Sequence, residues 1–454
     1  MAIEATLPSA DASIAHVDDP PHHPTTVPSR NVAKLAELDA TKLILKLTSN
    51  PKFPPKDLNS REFGEVKTDH MLIAKYDPAL GWSAPEVVPY GPLNLDPASS
   101  CLHYSTTVFE GMRAYRGPDG EPLLFRPAEN ARRLLRSAER AALPSFNSGE
   151  FLKLLKQLIV VESQWIPSEP GQSLYIRPTM IGTRSTLGLQ ASDRAMLFVI
   201  LAPTGASGAF PGSALSKSLS RARSESVSKP LMGKTVSIIA QGSAVRAWPG
   251  GAGNHKLGAN YAPTLLPQLK AAREGWDQIL WLNGETVTEA GSMNLFVVVK
   301  KEVETQDMDV ITPPLDGTVL PGITRDSCLA LLHAHSSSSL ALPTIPRAQR
   351  LHVQERPFTM TELFAWANQG KLVEVFGVGT AVNVAPIGKI GWDLTGGKGG
   401  SVKVIETGEV RNVGMALAER LTEIRSGRGQ WDGWSVRCDE GFKGSVRSMT
   451  RSHL

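Results

Sequence analysis

Cysteine is scarce in this chain. Its 454 residues hold three, Cys101, Cys328 and Cys438, far apart and without the paired spacing of a zinc site or the even count of a disulfide framework. A disulfide-stapled secreted scaffold is thereby excluded and a reducing compartment is expected. Charge of one sign is also lacking: a formal net charge of +4 is thin over this length, and no long lysine or arginine run gathers it into a patch. Nucleic acid is therefore not an expected partner. No window approaches the roughly 18 continuous apolar residues of a membrane-spanning helix, so no membrane partner is expected. The opening MAIEATLPSADASIAHVDDPPHHP carries acids where a mitochondrial presequence carries arginines, and no basic region followed by an apolar stretch. The expected location is cytoplasmic.

What is present is the make-up of a globular protein, 41% hydrophobic and 20% charged. At about 100 to 200 residues per domain the length asks for two or three units, and two are expected. Residues 1–39, rich in Pro, His and Asp without apolar periodicity, read as a disordered tail. Residues 40–202 mix helix and strand periods as a small α/β domain. FRPAENARRLLRSAERAAL places Ala131, Leu134, Leu135 and Ala138 on one helical face, and SLYIRPTMIG and AMLFVILAP are strand patterns. Residues 203–236 lose any period and are expected to be an interdomain linker, with a Ser/Arg-rich piece at 213–230 read as a solvated loop. Residues 237–435 resume the α/β pattern as a larger domain, in which DQILWLNG and TVTEAGSMNLFVVV read as two strands about a turn at Asn283-Gly284. Pro321-Gly322-Ile323-Thr324 marks a helix start. The end, 436–454, reads as a loosely structured tail.

One lysine stands out. In WPGGAGNHKLGANYAP, Lys256 lies among Gly250, Gly251, Gly253 and Gly258, where backbone can bend closely round a bound group. On position alone, a lysine in such a loop is a solvated side chain.

Its surroundings change that reading. FGEVKTDHML, LHYSTTVFEGMRAYRG, LLFRPAENARRLLRSA, SLYIRP, GNHKLGANY, TEAGSMNLF, PPLDGTVLPGITR and FGVGTAVNVAP follow one another in order from about residue 63 to about Ser435. Together they resemble the branched-chain aminotransferases, members of the fold-type IV class of pyridoxal-phosphate enzymes. The resemblance implies a two-domain α/β (α+β) fold with the active site at the domain interface, pyridoxal 5′-phosphate as cofactor, and a homodimer. It implies ping-pong amino transfer from L-leucine, L-isoleucine or L-valine to 2-oxoglutarate, which leaves as glutamate.

Position by position, Lys256 matches the lysine that condenses with the cofactor aldehyde, which requires a neutral amine and so a lysine with a lowered pKa. Glu289 matches the acid facing the pyridine nitrogen, and Tyr261 the tyrosine that hydrogen-bonds the phenolic oxygen. Arg133 matches the arginine gripping the phosphate, with Arg132 as its confounding neighbour, and Ile323, Thr324 and Thr380 match the remaining phosphate contacts. For substrate the match points to Tyr104, Phe109, Tyr175, Arg177 and Ala381, the arginine suiting the distal carboxylate of glutamate. Residues near Tyr104 are expected to approach the partner's site.

The sequence departs from the family in two places. Animal members carry a CxxC redox pair after the GTA turn, where Val382 and Ala385 stand here, and the tyrosine of their interdomain loop has only Phe210 as a counterpart. Three alternatives stay open at this point. One is another fold-type IV activity, such as a D-amino acid transaminase, an aminodeoxychorismate lyase or a secondary-metabolism transaminase. The second is a non-catalytic scaffold, and the third an RNA-binding protein acting through 213–230.

Overall fold

The computed structural model describes residues 35–206, 235–302, 307–394, 401–408 and 412–439. The core of the expected linker, with its Ser/Arg-rich piece and Phe210, lies outside the described residues, as does the end from 440 onward. From Ala36 the chain packs as one compact unit. Packed structure includes residues before 40, inside the expected tail: Ala36 bridges Gly81 and Leu38 is buried.

Two mixed sheets carry the architecture. The first has ten strands, drawn from Ile44–Leu45 to Ala195–Thr204, with Ser435–Arg437 added at one edge against Pro122–Phe125. At its centre Ser173–Gly182 runs antiparallel to Ala195–Thr204 along their whole length, the two strands the alternation predicts. Both are buried almost continuously, because apolar partners cover both faces. Helices Pro127–Arg140 and Ser148–Val161 supply that cover through Leu134, Ala138, Leu154 and Leu158. The second of these helices begins at Asn147, whose side chain accepts from the amides of Gly149 and Glu150.

The second sheet has nine strands, from Val236–Gln241 to Val402–Glu406. Helix Met360–Asn368 packs on one face, and helices Ile323–Ser336 and Asn412–Arg425 on the other. The segment TVTEAGSMNLFVVV corrects the expectation: it is two strands, Thr286–Ala290 and Met293–Lys300, reversed at Gly291. Gly291 has φ 59°, and a Cβ there would meet Gln278 Oε1 at 2.0 Å. Only glycine turns the chain at that point. The turn at Gly284 also forms, with φ 61°.

Candidate active site

The lysine loop crosses to the first sheet and its covering helix Pro127–Arg140, and is pinned there by its own backbone groups. Phe109 N donates to the Lys256 carbonyl at 3.1 Å, Lys256 N donates to Ser137 Oγ at 3.0 Å, and Arg136 Nη2 donates to the Asn254 carbonyl at 2.9 Å. Asn260 Nδ2 closes the loop on itself through the carbonyls of Ala252 and His255, at 2.7 and 2.9 Å. The amine is left pointing at rings: Lys256 Nζ donates to Tyr261 Oη at 3.0 Å and lies 5.0 Å from the centre of the Phe109 ring.

Round that amine the expected substrate residues form one wall. Phe109 packs on Tyr261 at 4.9 Å, and the guanidinium of Arg177 lies over Phe109 and Tyr175 at 5.0 and 5.3 Å. Arg177 donates to Tyr175 Oη at 3.1 Å, its Nε has no partner, and among the described residues it pairs with no carboxylate. Phe63, from the FGEVKTDHML motif, stands edge-on to Tyr175 at 4.8 Å and joins the wall, a role its local sequence does not mark. Tyr104 is not brought to this cluster. It is exposed, and its hydroxyl donates to the Leu187 carbonyl.

At one end of the cleft sits Glu289, buried where the hairpin at Gly291 begins. Its Oε2 meets Arg246 Nη1 at 2.6 Å, while Oε1 accepts from Asn294 Nδ2 and the Leu320 amide at 3.0 and 3.1 Å. Burial raises its carboxyl above the usual range, and Arg246, the Leu320 amide, Lys256 and Arg133 offset that only in part. Arg246 is a residue the sequence reading missed; its only signal is a lone basic residue in an otherwise apolar and small stretch, QGSAVRAW.

At the other end Arg133 turns inward while Arg132 stays outside on Glu129, so helix phase separates the two. Arg133 is forked on Glu110 at 2.5 and 2.8 Å and donates its third arm to the Pro321 carbonyl at 2.9 Å. Burial would push Glu110 up, but Arg133, its hydrogen bonds and Lys256 outweigh this and hold it below the usual carboxylate range. Glu110 is a second residue absent from the sequence expectation, because its motif, FEG, does not show that the side chain turns inward to Arg133. Next to this pair helix Ile323–Ser336 starts with no side chain capping it, and Ile323, Thr324 and Thr380 line a small cavity there. Ala381 is drawn in by its carbonyl, which accepts from Arg113 Nη2 at 2.5 Å.

The set fits a phosphorylated aldehyde cofactor on its own chemistry. Of three buried arginines, Arg113, Arg133 and Arg425, only Arg133 pairs with a carboxylate, Glu110, and Arg113 and Arg425 line the small cavity at an uncapped helix start. The net positive end suits a phosphate.

A sequence model of the family described as Amino-transferase class IV matches residues 107–390. The chain belongs to that family. Among its relatives, the mitochondrial branched-chain-amino-acid aminotransferase of Saccharomyces cerevisiae is 40% identical over 89% of this chain and 95% of its own length. That of Bos taurus is 41% identical over 81% of this chain and 85% of its own. A cytosolic Saccharomyces cerevisiae enzyme is 38% identical over 88% and 98%, so relatives of both locations exist. Within the class IV aminotransferases the chain thus stands in the branched-chain-amino-acid group. Solved structures agree in fold: the Escherichia coli branched-chain amino acid aminotransferase matches with a TM-score of 0.56 at 23% identity, covering 82% of this chain and all (100%) of that one. The PLP-form enzyme of Thermobaculum terrenum matches at 0.57 and 21%, covering 82% and 98%.

Proposed function

We propose that this class IV aminotransferase uses pyridoxal 5′-phosphate to move the amino group of L-leucine, L-isoleucine or L-valine to 2-oxoglutarate, with glutamate as the second product. The single observation that carries the reading is the placement of Lys256 Nζ, 3.0 Å from Tyr261 Oη and 5.0 Å from the centre of the Phe109 ring, close enough to Glu289 and to Glu110 for its charge to act on both. The division into units at 40–202 and 237–435, with the site between them, is part of this proposal.

Bound in the cleft, the cofactor ring supplies an electron sink for the charge developing at the substrate α-carbon. The chain's own residues do the rest. Lys256 carries the cofactor and moves the α-carbon proton with its amine. Tyr261 orients that amine. Glu289 holds the ring-nitrogen proton, and Arg246 supports its negative charge against burial. Arg133, Ile323, Thr324 and Thr380 hold the phosphate, with Glu110 fixing the fork of Arg133. Phe109 and Tyr175 offer apolar faces to a branched side chain, Arg177 offers a guanidinium to the distal carboxylate of glutamate, and Ala381 lies at the substrate end. We further propose a homodimer in which Tyr104 serves the partner's site, which accounts for its exposed position away from its own cluster.

The test is the visible spectrum of the purified protein supplied with cofactor. A yellow band that L-leucine bleaches and 2-oxoglutarate restores is expected, with Lys256→Ala lowering turnover by about 10³-fold or more. A band indifferent to every branched L-amino acid would overturn the substrate assignment. Arg177→Gln is expected to raise KM for 2-oxoglutarate about 10-fold or more while changing that for leucine little, the loss of one charge-assisted contact.

A further inference from the structure

We propose that Arg425 is a second arginine of the phosphate end of the site, tying together the two backbone segments that form the anion cup and lending its charge to the anion. The inference rests on the reading that the cleft takes a phosphorylated cofactor.

Arg425 is the last residue of helix Asn412–Arg425, some hundred residues from any other site residue before it except the turn at Thr380, and only 6% exposed. Its Nη2 donates to Thr324 Oγ1 at 3.3 Å, and its Nη1 to Asn383 Oδ1. Thr324 belongs to the helix start at Ile323; Asn383, with φ 61°, closes the turn that bears Thr380. One guanidinium therefore joins both segments. Because Thr324 Oγ1 accepts from Arg425, its own O–H remains available to an oxygen in the cavity. The ring of Phe125 under the guanidinium, at 4.7 Å, fixes its plane.

The charge of Arg425 is uncompensated: among the described residues it forms no ion pair. The same holds for Arg113, 8% exposed, which spends its two terminal nitrogens on Ser173 Oγ and the Ala381 carbonyl and leaves Nε without a partner. Both arginines line the cavity that Ile323, Thr324 and Thr380 also line. Burial lowers the Arg113 guanidinium from its usual value, and Arg425 adds to that through like-charge repulsion. Two buried cations side by side call for an anion between them, and a phosphate dianion is the class that matches two guanidiniums, two hydroxyls and a helix start.

The experiment titrates the apo-protein with pyridoxal 5′-phosphate and, separately, with pyridoxal, which lacks the phosphate, in wild type, Arg425→Gln and Arg425→Lys. Thermal melts of each apo-protein accompany the titrations. Arg425→Gln is expected to weaken pyridoxal 5′-phosphate binding by about 10- to 100-fold and pyridoxal binding by less than about two-fold, with Arg425→Lys between. Equal weakening of both ligands, or no weakening of either, overturns the inference. If Arg425→Gln does not fold, Arg425→Lys decides: a loss confined to the phosphorylated ligand supports the inference and an unchanged ratio overturns it. A wild type that binds neither ligand sinks the cofactor reading itself, a different failure from a wild type that binds and a Gln variant that binds equally well.

Discussion

Glu110 and Glu289 are both buried beside an arginine, yet they stand on opposite sides of the ordinary carboxylate range. Glu110 receives both arms of the Arg133 fork and a third hydrogen bond from Asn130 Nδ2 at 2.8 Å, enough to reverse the effect of burial. Glu289 has one ion-pair contact and two neutral donors, and burial wins. The consequences differ. A carboxyl held low contributes stability that is fully present above its ordinary value of 4.5 and is lost as pH falls through its folded value. Glu110→Gln should thus lower Tm at neutral pH and flatten the acid limb of the stability curve, read by melts across the acid range; an unchanged limb would refute it. Glu289→Gln should leave the cofactor bound and lower kcat by about 10²-fold or more, since the ring nitrogen loses its anion. Burial pushes the Cys328 and Cys438 thiols up to about 12, and raises Cys101 as well. A thiol reagent at neutral pH should therefore find no fast-reacting cysteine in the native protein and three in denaturant, because the thiolate is the nucleophile.

At the scale of elements, the hairpin through Gly291 and the helix start at Gly322 are coupled. Asn294, opposite Glu289 in the hairpin, donates both to Glu289 Oε1 and to the Leu320 carbonyl just before the helix. A Cβ on Gly322 would lie 2.0 Å from Asn294 Oδ1. Gly322→Ala should therefore destabilise the fold by about 1–3 kcal/mol and loosen both ends of the cofactor site at once. Thermal melting and cofactor retention on dialysis check this; a variant with native Tm and full retention would show that the two elements move independently. The period of the sequence predicts strand content here but not the reversal, because a glycine inside an apolar run is compatible with a straight strand until Gln278 takes the space beside it.

At the scale of the molecule, Leu102, Leu187 and Leu189 are 59%, 69% and 79% exposed around the Tyr104 hydroxyl and its Leu187 acceptor. In the proposed homodimer these side chains are assigned to the contact surface, which would cover them. Replacing Leu187 and Leu189 together by Asp should turn a dimeric wild type into monomers by sedimentation and lower activity with it, if Tyr104 serves the partner's site. Dimers that persist would move the interface elsewhere.

The amino-acid sequence alone determined the central strands, the helix carrying Arg133 and the helix start at Ile323, because periodicity and glycine or proline punctuation are local properties. Through their resemblance to a known family, its motifs also pointed to Lys256, Tyr261, Glu289, Phe109, Tyr175 and Arg177, because each sits in a motif whose neighbours are contiguous in the chain. Tertiary structure alone decided what steadies them. Arg113 meets the Ala381 carbonyl across 268 residues, Arg133 meets Pro321 across 188, and Arg425 meets Thr324 across 101. A buried guanidinium must find acceptors wherever the fold brings them, and nothing local in the chain encodes which distant carbonyl, hydroxyl or carboxylate that will be.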